Sequence, residues 1–380
     1  MFDSNGHCWR VGDKIFYSKA TAVEYASRTG EQLHFDYFNS FYNTIDWSTE
    51  PTESLQKLYK QRAEQLLSKY DHVVLLLSGG SDSTAVVNTF IRNGLKPAEV
   101  VSYQLLNKVI DNESTTNIEV TLSASKTAKA CEDAGIPYRI INLWDNIKDV
   151  KYDYKFFETA DTRMCIDNLI KIEGLHKDKK LLELVSAGKK VCLVNGLEKP
   201  RVFIKDGYWT TAYLDGPLAS NFWGRDMVDN HGIYTERFFT TTDVPAINVK
   251  QCHVIIQHYE QNVPDYKNLL IHTNEFDFET YYKVLNDILF DGIWKNGELF
   301  TLGKLGALQK YITFENLMSE TNMVKEYQGL IQDFYKSIDR EKYINFHGKL
   351  GGYFPENQLA YPDLKGNYGD FYRIKKVNDN

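Results

Sequence analysis

Six consecutive residues, Ser78-Gly79-Gly80-Ser81-Asp82-Ser83, carry the strongest chemical signal in the chain. Two adjacent glycines let backbone N–H groups converge where a side chain would intrude. The unbroken apolar run Val73 to Leu77 before them suits a strand buried on both faces, and Thr84-Ala85-Val86-Val87 after them suits a helix. A helix opening at about Ser81 to Ser83 leaves its first amides free and sets its positive end over the turn. The loop is therefore built to hold an anion, with Ser78, Ser81 and Ser83 as hydroxyl donors. A carboxylate at Asp82 would be repelled by phosphate unless a divalent cation bridged the two; the plainer role is a cap on the helix.

A second polar cluster, Asn195-Gly196-Leu197-Glu198-Lys199-Pro200-Arg201, follows another strand-like run at Val191 to Val194. Lys199 and Arg201 are the right type to neutralise phosphate oxygens, or else they are ordinary charges on a surface turn. Neither the Walker pattern G-x-x-x-x-G-K-S/T nor the dinucleotide pattern G-x-G-x-x-G occurs at the first loop.

Ser78 to Ser83 resembles the PP-loop, S-G-G-x-D-S, of the N-type ATP pyrophosphatases. That superfamily includes asparagine, GMP, argininosuccinate and NAD synthetases and enzymes that modify tRNA. All six positions agree and follow the strand the motif requires. Within the superfamily the chain is most similar to the synthetase half of asparagine synthetase-like proteins of phages and bacteria.

The resemblance implies ATP and Mg2+ as cofactors, adenylation of a carboxylate or amide oxygen with pyrophosphate leaving, and attack by ammonia or an amine. It implies Asp82, Lys199 and Arg201 as catalytic residues, and Asp82 with Glu198 as metal ligands. Ser78, Gly79, Gly80, Ser81, Asp82, Ser83 and Gly196 would meet the phosphates, and Ser102 and Gln104 the adenosine. The acidic pair of the asparagine synthetase group is not matched, because Lys199 follows Glu198. Lys250-Gln251-Cys252-His253 resembles the polar helix on the acceptor side of such proteins. In the full synthetases a cysteine directly behind the initiator Met serves a glutaminase domain. Here Phe2 stands there and residues 1–50 are too short for such a domain, so glutamine is not an expected ammonia source. Two alternatives keep the nucleotide site: a nucleobase or tRNA modification enzyme of the same class, and a non-catalytic ATP-binding regulator.

The elements that must position these residues alternate. Pro51 to Tyr70 is an amphipathic helix with Thr52 or Ser54 near its start. Strands follow at Val73, at Val100 to Gln104, at Tyr138 to Asn142 and at Val191 to Gly196, with crossover segments between them, so parallel pairing follows. The expected fold class is α/β, a doubly wound, mostly parallel sheet of the adenine nucleotide alpha hydrolase-like kind, with ligands at the carboxyl ends of the strands. Residues 1–50 form an N-terminal arm attached by Phe35, Tyr37, Phe38, Phe41, Tyr42 and Trp47. Residues 51–214 form the nucleotide domain, with a hairpin over 201–215. Residues 215–340 read as a mostly helical acceptor side, with helices at Val249 to Tyr259, Phe278 to Leu289 and Met318 to Phe334. Residues 341–380 read as an irregular tail.

Bulk properties narrow the partners. The 380 residues carry a net charge of −7, which argues against a large nucleic-acid footprint and leaves a small molecule or single nucleotide as acceptor. Five scattered cysteines without a C-x-x-C disfavour disulfides, zinc and iron–sulfur ligation and fit a reducing cytoplasm, that of the host if the chain is phage-encoded. Cys165, in Asp161-Thr162-Arg163-Met164-Cys165, reads first as a small buried hydrophobe rather than a sulfur carrier. His253 and His258, five apart, share no helix face for a metal. Neither a spanning helix nor a signal peptide is expected.

Overall fold

The structure is a computed structural model that describes residues 7–16, 22, 25–26, 28–104, 106, 117, 120–147, 174–196, 199–214, 232–263, 266–269, 285, 288–290 and 368–377. A small antiparallel sheet comes first, with strands β1 (His7–Val11), β2 (Lys14–Phe16) and β3 (Leu33–Tyr37) in the order β2-β1-β3. Helix α1 (Leu55–Lys69) is capped by Ser54, whose hydroxyl accepts the Lys57 N–H at 3.3 Å. Its buried Leu55, Leu58, Tyr59, Ala63 and Leu66 recur at three and four residues, the spacing that puts them on one face.

The nucleotide-type sheet then unfolds in chain order. Strand β4 (His72–Leu76) leads through the loop into α2 (Ser81–Arg92), then to β5 (Glu99–Gln104). The crossover opens with a π turn at Val120–Ala124, continues as α3 (Ser125–Asp133) and delivers β6 (Tyr138–Asn142). Helix α4 (Lys179–Ser186), capped by the Asp178 carboxylate, precedes β7 (Val191–Asn195). A hairpin follows, β8 (Arg201–Lys205) and β9 (Tyr208–Leu214), where Asp206 and Gly207 both take positive φ, the conformation a two-residue hairpin turn demands. Further along come β10 (Tyr234–Arg237), α5 (Ala246–Asn262) and β11 (Tyr368–Lys376), and single helical turns lie at Asn39–Tyr42, Trp144–Ile147 and Tyr266–Leu269.

Five strands in the order β10-β7-β4-β5-β6 make the central sheet, and every pairing in it is parallel. The mixed α/β fold with a mostly parallel sheet agrees with expectation. Strand order moves outward from β4 through β5 to β6, then jumps back across β4 to β7. The reversal lies between β4 and β7, and open sheets of this kind place their ligand crevice at that point, beyond the carboxyl ends of the strands. Val73 to Leu77 are each at most 5% exposed, which accounts for the run without alternation.

Three elements differ from the sequence reading. β10 lies inside the stretch read as helical; it is four residues long and mostly polar, too short for periodicity to register. It is held by parallel pairing to β7 and by Glu236, which accepts hydrogen bonds from the fully buried Arg62 at 2.9 Å and from Tyr70 at 2.5 Å. Part of the tail read as irregular is the nine-residue β11, paired antiparallel with β9 in a sheet of order β11-β9-β8. Tyr372 and Ile374 point inward and Phe371 and Arg373 outward, an alternation that the Gly- and Asn-rich surroundings obscure. Helix α4 was not expected at all. Most of Phe278 to Leu289 and all of Met318 to Phe334 lie outside the described residues.

The aromatic arm packs as its composition implies. Tyr37 and Tyr42 lie 4.6 and 4.8 Å from Tyr213 of β9, and Trp47 stacks at 4.9 Å on Tyr372 of β11. Rings from both ends of the described chain thus share one cluster with the hairpin.

Candidate nucleotide site

The loop after β4 is braced from within. The Ser83 hydroxyl accepts the Ser78 N–H at 3.2 Å, donates to the Gly80 carbonyl at 3.1 Å and lies 3.1 Å from the Ser78 hydroxyl. The Gly80 N–H donates to Ser78 Oγ at 3.3 Å, and Ser81 Oγ donates to Asp82 at 3.2 Å. The serines expected as anion donors therefore first hold the loop's shape. Gly79 sits at φ 92°, which a residue with a Cβ reaches only under strain. Gly80 is the N-cap of α2 and provides no side-chain cap, so the positive end of the helix faces the crevice with Asp82 in its first turn.

Ser102 stands behind the loop. Its fully buried hydroxyl donates to the Leu77 carbonyl at 2.6 Å, while the Leu77 N–H donates to Val101 at 2.8 Å. That ties the end of β4 to β5 and gives Ser102 a bracing contact. Gln104, also buried, donates from Nε2 to Thr121 at 3.5 Å.

From the other side of the reversal, the end of β7 meets the same turn. A Cβ on Gly196 would stand 2.8 Å from both the carbonyl carbon and oxygen of Asp82, so only glycine lets β7 close against the start of α2. Lys199 then reaches back to pair with the Asp82 carboxylate, its side chain 4% exposed and that of Asp82 28%. The ring of Phe290 lies 5.3 Å from the same ammonium. Phe290 was missed by the sequence reading, since a lone aromatic in a mixed stretch carries no signal.

The structure thus brings Ser78 to Ser83, Gly196 and Lys199 together. Arg201 is buried at the start of β8, in the other sheet. Glu198, the second expected metal ligand, and the Asp161 to Cys165 stretch lie outside the described residues. Among the described residues no group of three or more potential metal-ligating side chains occurs. A magnesium ion draws much of its shell from phosphate and water, so one carboxylate at the mouth of an anion loop is a sufficient protein contribution in kind. The ammonium already on Asp82 marks that carboxylate as facing a position suited to positive charge.

Lys250 to His253 fall on α5 but serve packing. Lys250 pairs with Glu50 at 2.5 Å, Gln251 and Cys252 are fully buried, and His253 lies 3.0 Å from the Trp47 carbonyl. Cys8, Cys131, Cys192 and Cys252 form no disulfide and are buried; burial pushes the Cys131 thiol up to about 11 and that of Cys252 up to about 12, which disfavours the reactive thiolate. No described helix is long and apolar enough to cross a membrane.

No protein-family model matches the chain, and no curated protein matches its sequence. Among solved structures it has distant, partial likenesses. One is the NH3-dependent NAD synthetase of Campylobacter jejuni, at 20% identity and TM-score 0.23, with 38% of this chain and 58% of the synthetase covered. Another is the U34-tRNA thiolase of Methanococcus maripaludis, at 12% identity and TM-score 0.26, with 62% of this chain and 80% of the thiolase covered. Neither is an asparagine synthetase. At these TM-scores the likenesses carry no argument about activity, and the functional reading rests on the chain's own loop and crevice.

Proposed function

We propose that the chain is an ATP-dependent enzyme of the PP-loop kind, which transfers AMP to an acceptor oxygen and releases pyrophosphate. The observation that carries this reading is the complete S-G-G-x-D-S loop at the strand-order reversal, with Gly196 closed against its Asp82 and Lys199 paired to it. The protein has little covalent work to do in such a reaction. The loop amides and the positive end of α2 hold the phosphates in line, and Lys199 offsets the charge that grows on departing pyrophosphate. In this reading Arg201, at the start of β8, adds to that charge. Asp82 and Glu198 are the residues that would hold magnesium, which would supply further neutralisation of phosphate charge.

The acceptor is either a carboxylate or amide oxygen of a small molecule, resolved by ammonia or an amine, or the carbonyl oxygen of a nucleobase, free or in tRNA. Both present an oxygen to the α-phosphorus. The test supplies ATP labelled in the α-phosphate with small-metabolite extract in one arm and tRNA in the other. AMP and pyrophosphate in either arm support the reading, and the productive arm identifies the acceptor class. ADP and phosphate as products would overturn it. ATP bound tightly without turnover in either arm would leave a regulatory nucleotide site in place of an enzyme.

A further inference from the structure

Lys199 is almost wholly removed from water, and burying an ammonium is costly unless its surroundings replace the lost hydration. Asp82 replaces part of it. The ring of Phe290 covers a second side, 5.3 Å from Nζ to the ring centroid. Phe290 is itself 3% exposed, and its ring lies 5.3 Å from that of Phe239, which stands edge-on to both Tyr59 and Phe238.

The backbone that carries Phe290 is anchored by a chain of buried hydrogen bonds running in one direction. The Tyr213 hydroxyl donates to Asn248 Oδ1 at 3.0 Å, and Asn248 Nδ2 donates to Gln251 Oε1 at 3.3 Å. Gln251 Nε2 then donates to the Tyr59 oxygen at 2.9 Å, and the Tyr59 hydroxyl donates to the Leu289 carbonyl at 3.5 Å. Asn248 and Gln251 are both 0% exposed. Such a chain, fully enclosed and with each donor finding an acceptor, fixes its members more tightly than isolated pairs would. It joins β9, α5 and α1 to the residue next to Phe290.

We infer that Phe290 is a positioning residue for Lys199: its ring, set by this buried polar chain, holds the ammonium at the mouth of the phosphate loop. The inference rests on the reading of Lys199 as a phosphate-facing residue. An aromatic face attracts a cation without presenting an oxygen, so it steadies the ammonium without competing with phosphate for its N–H donors. Asn248 and Gln251 on α5 therefore act on the site through Phe290 rather than through an acceptor.

The experiment measures inorganic pyrophosphate binding, without magnesium, by titration calorimetry of the full chain and of Phe290→Leu, Lys199→Met and the double variant. Leucine retains an apolar side chain and removes the π face. A cavity of about 40 Å3 beside Phe290, lined also by Gln56, Tyr59, Ala85, Asn88 and Leu289, gives the neighbours room to adjust. Phe290→Leu is expected to weaken pyrophosphate binding about 3- to 30-fold, the range a partly to fully desolvated cation–π contact supports. In the Lys199→Met background the same change should have no further effect, because the cation it acts through is gone. Equal losses in both backgrounds would make Phe290 a packing residue only and overturn the inference. Unchanged binding in Lys199→Met would instead overturn the reading of Lys199 itself. A second measurement needs no Phe290 variant. In protein with 13C-labelled lysine, one side-chain ε-methylene signal should lie upfield under the ring, vanish in Lys199→Met and move on addition of pyrophosphate. Absence of any such signal would sink the contact and with it the inference.

Discussion

Gly196→Ala probes the closure of β7 onto the phosphate loop. The new Cβ would lie 2.8 Å from the Asp82 carbonyl carbon and oxygen and 3.0 Å from Val86 Cγ2. Comfortable carbon contacts lie at about 3.5–4.0 Å, so roughly 0.7 Å or more must be found between a strand end and the first turn of a helix. The Val86 methyl can rotate away. The Asp82 backbone cannot, because it is fixed in the first turn of α2. Overpacking of this kind costs about 1–3 kcal/mol, equivalent to a fall in Tm of about 2–10 °C for a domain of this size. The functional loss should be larger in proportion, since a shift of about 1 Å in a reacting group is worth on the order of 100-fold in rate. Scanning calorimetry gives the first quantity, and AMP release in the productive arm of the acceptor test gives the second. Adding Val86→Ala should not restore activity, because it relieves the side-chain contact and leaves the backbone one. Wild-type Tm and wild-type AMP release in Gly196→Ala would refute the claim that this contact positions the loop, and rescue by Val86→Ala would show that a side chain sets the limit.

Three further outcomes are expected. Asp82→Asn should remove the magnesium-dependent part of ATP affinity while leaving the far-ultraviolet circular dichroism unchanged; equal ATP affinity with and without magnesium in both proteins would take Asp82 out of metal binding. Ser102→Ala leaves the Leu77 carbonyl without its buried 2.6 Å partner and should cost about 1–3 kcal/mol in urea unfolding, whereas a loss confined to ATP binding would restore Ser102 to the ligand. The third concerns acid stability at the far end of the sheet. Burial raises the Glu99 carboxyl, but hydrogen bonds from His72, Arg139 and Lys180 more than offset it and hold it at about 2, below its ordinary 4.5. The folded value is the lower one, so the stabilisation is complete above about pH 4.5 and is lost as pH falls toward 2, at most about 3 kcal/mol in all. Glu99→Gln should therefore flatten the acid limb of the stability curve, and an unchanged limb would show that other carboxylates govern it.

The sequence alone determined whatever depends on neighbours along the chain. Val73 to Leu77 are buried on both sides and so show no alternation, and Ser78 to Ser83 combine glycines, hydroxyls and a carboxylate within one turn. The hairpin over 201–215 and the helix capped by Ser54 were legible for the same reason, since turn chemistry and capping act over two to four residues. Tertiary structure decided whatever depends on chain segments far apart. β10 is a strand because β7 pairs with it and Arg62 neutralises Glu236, neither of which four residues can announce. Ser102 braces Leu77 across 25 residues, a contact that no local pattern announces. Lys199 meets Asp82 across 117 residues, and Phe290 covers the pair only because Tyr59 and α5 hold Leu289 beside it. A local pattern records the conformation a segment prefers. The partner of a buried charge is set by where strand order reverses, and that is a property of the assembled sheet.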